Sequence, residues 1–406
     1  MSTAWVQVLH FYQPPGQTHE ILRKVADESY RPVVRVLLDQ PTARVAVNMN
    51  AVLSEMLVEH GHGDVIEGLT TLQARGQIEF LGSGRYHPIF PLVAARDRNR
   101  AITENAASNR AAFGPGYAPR GFFPPELAYS QDILPAIRAT GHDWVLLSGV
   151  ANPGEWQTTR VPKARSDGTQ IGVLFRDDVR SNRISFREVT AATWIADLER
   201  VGNDGQDHYV VTGMDGETFG HHIRGWEREF LAVAYAGAEA SPTVRMMLPS
   251  EVLDTFPSGD FVEPFASSWS TSRDDIASGD PFPLWKSPGN RLHSLQWDLV
   301  EHSETLTAMA SRHARDGDSA KDAALASELL QPALHSCQFW WASKRPWWDV
   351  TMIRRGLRMQ EDVILHAGRS IHGGAAPQEV RREATWRLAA ANETRHEIER
   401  TLMNVG

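Results

Sequence analysis

Short apolar runs alternate with amphipathic stretches along the first two thirds of the chain, and that alternation predicts its elements. Residues 5–10 (WVQVLH) read as a first strand, ended by the proline-rich loop 11–16. A helix over 18–38, interrupted or kinked near Pro32, leads to a second strand at 43–48 and a helix at 51–60. Residues 69–75 read as helix, Gly76 as its stop and 78–81 as a third strand, followed by the hydrogen-bonding loop 82–88. A polar helix at 96–113 precedes a short strand from Gly121, whose exit is stiffened by Pro124 and Pro125. Residues 130–140 are predicted helical, and 144–147, 171–175, 209–212 and 244–248 as further strands.

Seven or eight strands alternating with helices imply a parallel α/β architecture, a (β/α)7-type barrel over residues 1–265. The other architecture open to this pattern is a doubly wound open sheet, but the first strand runs into prolines where a dinucleotide fold needs glycines. From about residue 292 the period changes to that of long helices, over 292–313, 322–334, 348–367 and 377–402. Residues 266–406 are therefore expected to form a helical C-terminal domain that contributes aromatic residues to a substrate cleft. Arg315-Asp316-Gly317-Asp318 and His372-Gly373-Gly374 read as helix connections.

Composition narrows the function classes. Of 406 residues, 42% are hydrophobic and 22% charged, an ordinary globular balance. A formal charge of -9 argues against nucleic acid as the main partner, and no apolar run reaches membrane-spanning length. The single cysteine, Cys337, excludes an intrachain disulfide framework and a cysteine-based zinc cluster, and reads as a small buried hydrophobe. With residues 1–5 passing directly into strand-like sequence, a cytoplasmic location is expected. Thirteen tryptophans exceed what packing alone asks for, and aromatic faces that stack on sugar rings are one use for them.

The candidate chemistry lies at strand ends. In Val210-Val211-Thr212-Gly213-Met214-Asp215-Gly216-Glu217 a β-branched run delivers two acids among glycines. Glu126 follows another strand, and His10 ends the first. In a barrel such ends converge on one face. Two acids from different strands suit glycoside hydrolysis, where one carboxyl protonates the leaving oxygen and the other attacks the anomeric carbon or activates water.

These residues carry a family resemblance. The chain resembles glycoside hydrolase family 57, a group of α-glucan-acting and related enzymes, through five ordered blocks: His10-Phe11-Tyr12-Gln13-Pro14; Gly76-Gln77-Ile78-Glu79-Phe80 through Tyr86-His87-Pro88-Ile89; Gly121-Phe122-Phe123-Pro124-Pro125-Glu126; Asp215-Gly216-Glu217-Thr218-Phe219-Gly220; and, more loosely, His335-Ser336-Cys337-Gln338-Phe339-Trp340-Trp341. The resemblance implies Glu126 as nucleophile and Asp215 as acid/base of a retaining double displacement on α-glucans or malto-oligosaccharides, by hydrolysis or transfer, with no cofactor or metal. Their carboxyls should then stand about 5 to 5.5 Å apart. An ionised Glu126 needs donors, for which Arg85, His10 and the 221–222 histidines are candidates, whereas Asp215 should be raised in pKa by its acidic neighbours. His10, Gln13, Glu79, Tyr86, His87, Phe219 and His222 are expected to bind substrate. Trp269, Trp285, Trp340 and Trp341 are expected as stacking platforms.

Other readings sit beside these. Glu79 is equally readable as a strand carboxylate paired to an arginine, and Glu217 as an orienting acid. His60 and His62 read as a solvated helix-end loop, and Trp297, Trp347 and Trp386 as packing residues. The pair His221-His222 raises a metal-dependent carbohydrate deacetylase, against which the first strand lacks an aspartate ligand. Tyr12 stands where the family usually has histidine, and the fifth block lacks an aspartate before its aromatic pair. An α-galactoside or another α-linked glycan therefore remains an alternative substrate.

Overall fold

The computed structural model describes residues 2–315, 317–345 and 347–404. They fall into two compact units, Met1–Arg85 with Arg98–Trp269, and Tyr86–Asp97 with Ser270–Gly406.

The first unit holds ten strands: β1 (Thr3–Phe11), β2 (Val45–Met49), β3 (Ile78–Gly82), β4 (Gly121–Phe122), β5 (Trp144–Ser148), β6 (Val161–Ser166), β7 (Thr169–Arg176), β8 (His208–Asp215), β9 (Val244–Met246) and β10 (Ser258–Phe261). Their order is β10-β6-β7-β5-β4-β3-β2-β1-β8, with β9 paired to β1. Seven of them, β8-β1-β2-β3-β4-β5-β7, form one parallel run. β7 and β8, the two ends of that run, are bridged by the Asp177 N–H to Val211 O at 2.7 Å and by Arg176 Nε to Gly213 O at 2.6 Å. The two ends of the run thus approach each other, in keeping with a (β/α)7-type barrel, without a β7–β8 ladder.

The period of two in β1 sets what faces inward. Ala4, Val6 and Val8 pack with Ala46, Leu81, Trp144, Leu146, Leu174, Tyr209 and Val211 in one core. Trp5, out of phase, packs instead against Trp194 and Tyr235. Extending the inward rows by one step reaches His10 on β1, Asn48 on β2, Arg176 on β7 and Asp215 on β8. Register places His10 directly beside both Asn48 and Asp215. Apolar rows that end in polar residues at the strands' C-terminal ends thus define the site.

Two local features differ from the sequence expectation, and the break expected near Pro32 takes a definite form. Only one strand was predicted at 171–175, whereas β6 and β7 form an antiparallel hairpin about Asp167 (φ 46°) and Gly168 (φ 75°). An Asp-Gly pair between extended runs is a strong hairpin signal, and it was present to be read. The helix predicted at 69–75 begins at Gly63, so the loop at His60–His62 is short; His62 is buried beside Arg31 rather than solvated. The helix at 18–38 is interrupted by a π-turn at Ala26–Tyr30, just ahead of Pro32. Pro32 has no N–H to give Glu28 O, and the Arg31 N–H bonds Ala26 O instead.

The second unit is helical: α1 (Arg291–His313), α2 (Gly317–Ala333), α3 (Val350–Gly373) and α4 (Gln378–Met403). Their apolar faces bury Leu292, Leu299, Leu306, Ile353, Leu357, Ile371, Ile398 and Leu402 together. Asn290 caps α1 and Asp349 caps α3 through side-chain oxygens that accept backbone N–H groups. Of the expected connection at 315–318, Asp316 lies outside the described residues, and Gly317 already begins α2, five residues earlier than predicted. Among the described residues no helix is long and apolar enough to cross a membrane.

Candidate active site

Four inward polar residues meet at the strand ends of the first unit. His10 Nδ1 donates to Asn48 Oδ1 at 2.6 Å, and its ring stacks on Phe123 with centroids 4.7 Å apart. Burial lowers the pKa of His10, while the Asp215 carboxyl beside it opposes the shift. The buried guanidinium of Arg176 bonds Gly213 O at 2.6 Å, Asp178 at 2.6 Å and Asn182 at 2.9 Å. A buried cation needs this many acceptors, and Arg supplies the fork that reaches them. Burial raises the carboxyl of Asp215, and the charges of His10 and Arg176 act in the opposite direction. The net upward shift suits an acid that must hold its proton.

Glu126 is seated differently. It lies past β4 in a tight turn after Pro124 and Pro125, with φ 60° and ψ 17°, and Leu127 follows at φ 48°. Two successive non-glycine residues with positive φ store of the order of 1–3 kcal/mol each, which the surroundings must offset. Trp269 supplies part of this: its backbone N–H donates to Glu126 O at 3.1 Å and its indole N–H to the carboxylate Oε2 at 2.8 Å. The same indole sets its edge to His10 and to Phe123, both at 5.8 Å, and carries the Arg176 guanidinium 5.9 Å above its ring. Trp269 therefore joins the surroundings of Glu126 to those of Asp215.

The loop after β8 is clamped by the π-turn. Ser29 Oγ donates to Gly216 O at 2.9 Å, Tyr30 OH to Glu217 Oε1 at 2.5 Å, and His221 Nδ1 lies 2.7 Å from Glu28 Oε2. Close packing requires glycine at two points: a Cβ on Gly216 would enter the Phe11 ring at 2.0 Å, and one on Gly220 (φ 105°) would meet Glu28 O at 1.8 Å. Burial, then the charge of Asp215, push the Glu217 carboxyl up to about 8. Tyr12 N–H and Gln13 Nε2 also approach Glu217, each at 3.4 Å.

Not every predicted residue joins this cluster. Glu79 faces the opposite end of the barrel, where Ser250 N–H and Oγ donate to its carboxyl at 3.1 and 2.5 Å from the helix that follows β9. Its position as the second residue of β3, beside Ala46, makes it an interior acid and not one at a strand exit. Phe219 is fully buried and stacks on Phe230, and His222 is exposed, its backbone N–H closing a turn on Glu217 O at 2.8 Å. Arg85 pairs with Glu55 and Glu104, and Trp269 is one donor to Glu126.

Tyr86, His87, Trp285, Trp340 and Trp341 belong to the second unit. There His87 Nδ1 lies 2.9 Å from Ser336 Oγ, and Trp285 is fully buried, its carbonyl accepting from Trp297 Nε1 at 2.7 Å, which is a packing role. Trp340 and Trp341 are half-buried and cluster with Trp347. Trp297 packs as expected against Phe339, whereas Trp347 and Trp386 are exposed, and Cys337 is only half-buried. Among the described residues no three His, Cys, Asp or Glu side chains group closely enough to hold a metal ion. Arg176, Asn48 and Tyr30 were not singled out from sequence. The first two end strand-like runs just as His10 and Asp215 do, so the signal existed for them.

Buried polar residues gathered at the C-terminal ends of parallel strands stand where folds of this kind carry their sites. Residues 3–263 match the profile described as "Glycosyl hydrolase family 57", and the chain belongs to that family. An alpha-amylase of Pyrococcus horikoshii is 27% identical over 277 residues, covering 65% of this chain and 42% of that protein. The chain thus spans about two fifths of the length of the curated relatives it matches. In structure, the 4-alpha-glucanotransferase of Thermococcus litoralis superposes with TM-score 0.72 at 20% identity, covering 91% of this chain and 60% of that one. A GH57-type branching enzyme from Pyrococcus horikoshii reaches 0.72 at 16% identity, covering 95% and 94%. These likenesses establish the fold.

Proposed function

We propose that the chain is a retaining α-glycosidase acting on α-glucans or malto-oligosaccharides, by hydrolysis or glucanosyl transfer, with Glu126 as nucleophile and Asp215 as acid/base. The observation that carries this reading is the shared neighbourhood of the two acids: Trp269 donates to Glu126 and touches His10 and Arg176, the two charged groups that act on Asp215. Amylase and glucanotransferase activities in the names of the relatives support the substrate class.

In the first step the Glu126 carboxylate attacks the anomeric carbon while the protonated Asp215 gives its proton to the departing glycosidic oxygen. The indole N–H of Trp269 favours the ionised form of Glu126, and burial favours the protonated form of Asp215. In the second step Asp215, now a base, takes a proton from water or from a sugar hydroxyl, and that oxygen releases the glycosyl group from Glu126. His10, Gln13 and His222 are our candidates for contacts to sugar hydroxyls. The lone cysteine fits residence in the cytoplasm, which subcellular fractionation tests.

Release of sugar from soluble α-glucans, with the anomer of the first product followed by NMR, tests the whole reading. Activity should fall by about 10^2 to 10^4-fold in Asp215→Asn and at least as far in Glu126→Gln. Full activity in either variant, or an inverted first product, overturns it.

A further inference from the structure

Residues 149–160 leave the C-terminal end of β5, on the face where β1, β7 and β8 present His10, Arg176 and Asp215. This loop carries Trp156, which is 43% exposed yet held in place. Its ring tilts against Phe175 of β7, centroids 6.4 Å apart, and on the other side it meets Gly149, where an added Cβ would stand 3.1 Å from the indole. Phe265, 38% exposed, is tied to the same loop by its N–H to Ala151 O at 2.9 Å. Two partly exposed aromatic side chains, Trp156 against Phe175 and Phe265 on a segment hydrogen-bonded to the same loop, therefore lie on this rim.

The polar groups around Trp156 narrow the ligand. A shallow slot of about 70 Å³ is lined by Asn152, Glu155, Gln157, Phe175 and Asp260, with no lysine or arginine; Trp156 does not line it but adjoins it through the Phe175 ring and through its chain neighbours Glu155 and Gln157. Among the described residues the side chains of Glu155, Gln157 and Asp260 make no hydrogen bond or ion pair. Two unneutralised carboxylates disfavour an anionic ligand, and acceptors beside an aromatic face suit a neutral ring that carries many hydroxyl donors. A hexose unit has that chemistry.

A chain of contacts through Gly149, Arg176 and Trp269 connects this rim to Glu126. Gly149 packs against Arg176 O and the Asp178 carboxylate, and Ser148 Oγ and the Val150 N–H both donate to that carboxylate, at 2.8 and 2.9 Å. Arg176 in turn reaches Gly213 O and the ring of Trp269. A glycan lying across the acids has this rim as a neighbour.

We propose that Trp156, with Glu155, Gln157 and Asp260, forms an outlying sugar subsite that binds a hexose unit of an α-glucan several residues away from the bond being broken. The subsite rests on the α-glucan reading above. It makes binding depend on chain length, because a short oligosaccharide held at the acids does not reach Trp156.

Titration calorimetry of maltotriose and maltoheptaose into Glu126→Gln, with and without Trp156→Ala, tests this. Losing one aromatic platform should weaken maltoheptaose about tenfold more than maltotriose. Glu155→Gln and Asp260→Asn, which keep shape and remove charge, should weaken the longer sugar in the same sense by a smaller factor. An equal change for both sugars in Trp156→Ala, or none for either, overturns the subsite and leaves the catalytic reading standing. If Glu126→Gln with Trp156 intact binds neither sugar and the unsubstituted protein releases none from α-glucans, the α-glucan reading falls and the subsite falls with it.

Discussion

Asp215 and Glu126 are two carboxylates placed by opposite means. Asp215 ends a regular eight-residue strand, and its direction follows from the inward phase of Tyr209, Val211 and Gly213 and from its register beside His10. Glu126 leaves a strand of only two residues and sits in a left-handed turn that two prolines and the Trp269 contacts impose. The difference teaches that a barrel can aim an acid by period alone when the strand is long, and needs strain with outside support when it is short. The two seats also differ chemically. Asp215 is shifted upward by burial, whereas Glu126 receives an N–H donor that stabilises its charge.

The largest effect that sharpens this comparison is a split between leaving groups. A departing group that is already a good anion needs no proton, so Asp215→Asn should recover most of its first-step rate on an α-glucosyl fluoride, relative to a loss of about 10^2 to 10^4-fold on maltodextrins. Glu126→Gln should stay inactive on both. Single-turnover kinetics on the two substrates checks it, and equal losses for Asp215→Asn on both substrates would make the assigned roles untenable.

A smaller effect isolates the support for the strained seat. Trp269→Phe keeps an aromatic ring between His10 and Phe123 but removes the N–H that reaches Glu126 Oε2. A hydrogen bond to a charged acceptor contributes about 1.5–3 kcal/mol, so kcat should fall by roughly ten- to a hundredfold. The acidic limb of the kcat/KM profile should move to higher pH, because Glu126 loses a group that favours its ionised form. A fall in rate with an unmoved acidic limb would assign Trp269 to packing alone.

The same contrast explains what the sequence disclosed. Strand periods predicted most of the parallel run and placed His10 and Asp215 at its ends, because period two is local and the core is apolar. By the same logic Arg176 and Asn48 were readable, as single polar residues that close buried runs. Glu79 lies apart from the cluster for a complementary reason: it is on an inward row, but too early in β3 to reach the exit. Tyr30 was not readable at all. Its approach to Glu217 depends on a π-turn ahead of Pro32 and on the loop of β8, which lies nearly two hundred residues away in sequence. Phe219 and Trp285 mark a third limit, since an aromatic residue near a motif has the same letter whether it packs or binds.

The smallest predicted effect concerns that clamp. Burial and the nearby Asp215 raise Glu217 from 4.5 to about 8, so the folded protein holds a proton there that the unfolded chain releases from about pH 4.5 upward. A raised carboxyl contributes stability that is fully present below pH 4.5 and is lost as pH rises towards about 8. The groups that face it are Asp215, Tyr30, Gln13 and the Tyr12 N–H, with His10 and Arg176 acting on Asp215 behind them. Glu217→Gln cannot ionise, keeps the shape and still accepts from Tyr30. Its Tm, measured from pH 5 to 8, should therefore decline less steeply than that of the unsubstituted protein, by a few degrees across the window. Tyr30→Phe removes a contact that lowers the Glu217 pKa, so the decline should persist to higher pH. Parallel Tm curves for all three proteins would mean that Glu217 is already ionised in the folded state, and the clamp would then hold a charge beside Asp215 instead of a proton.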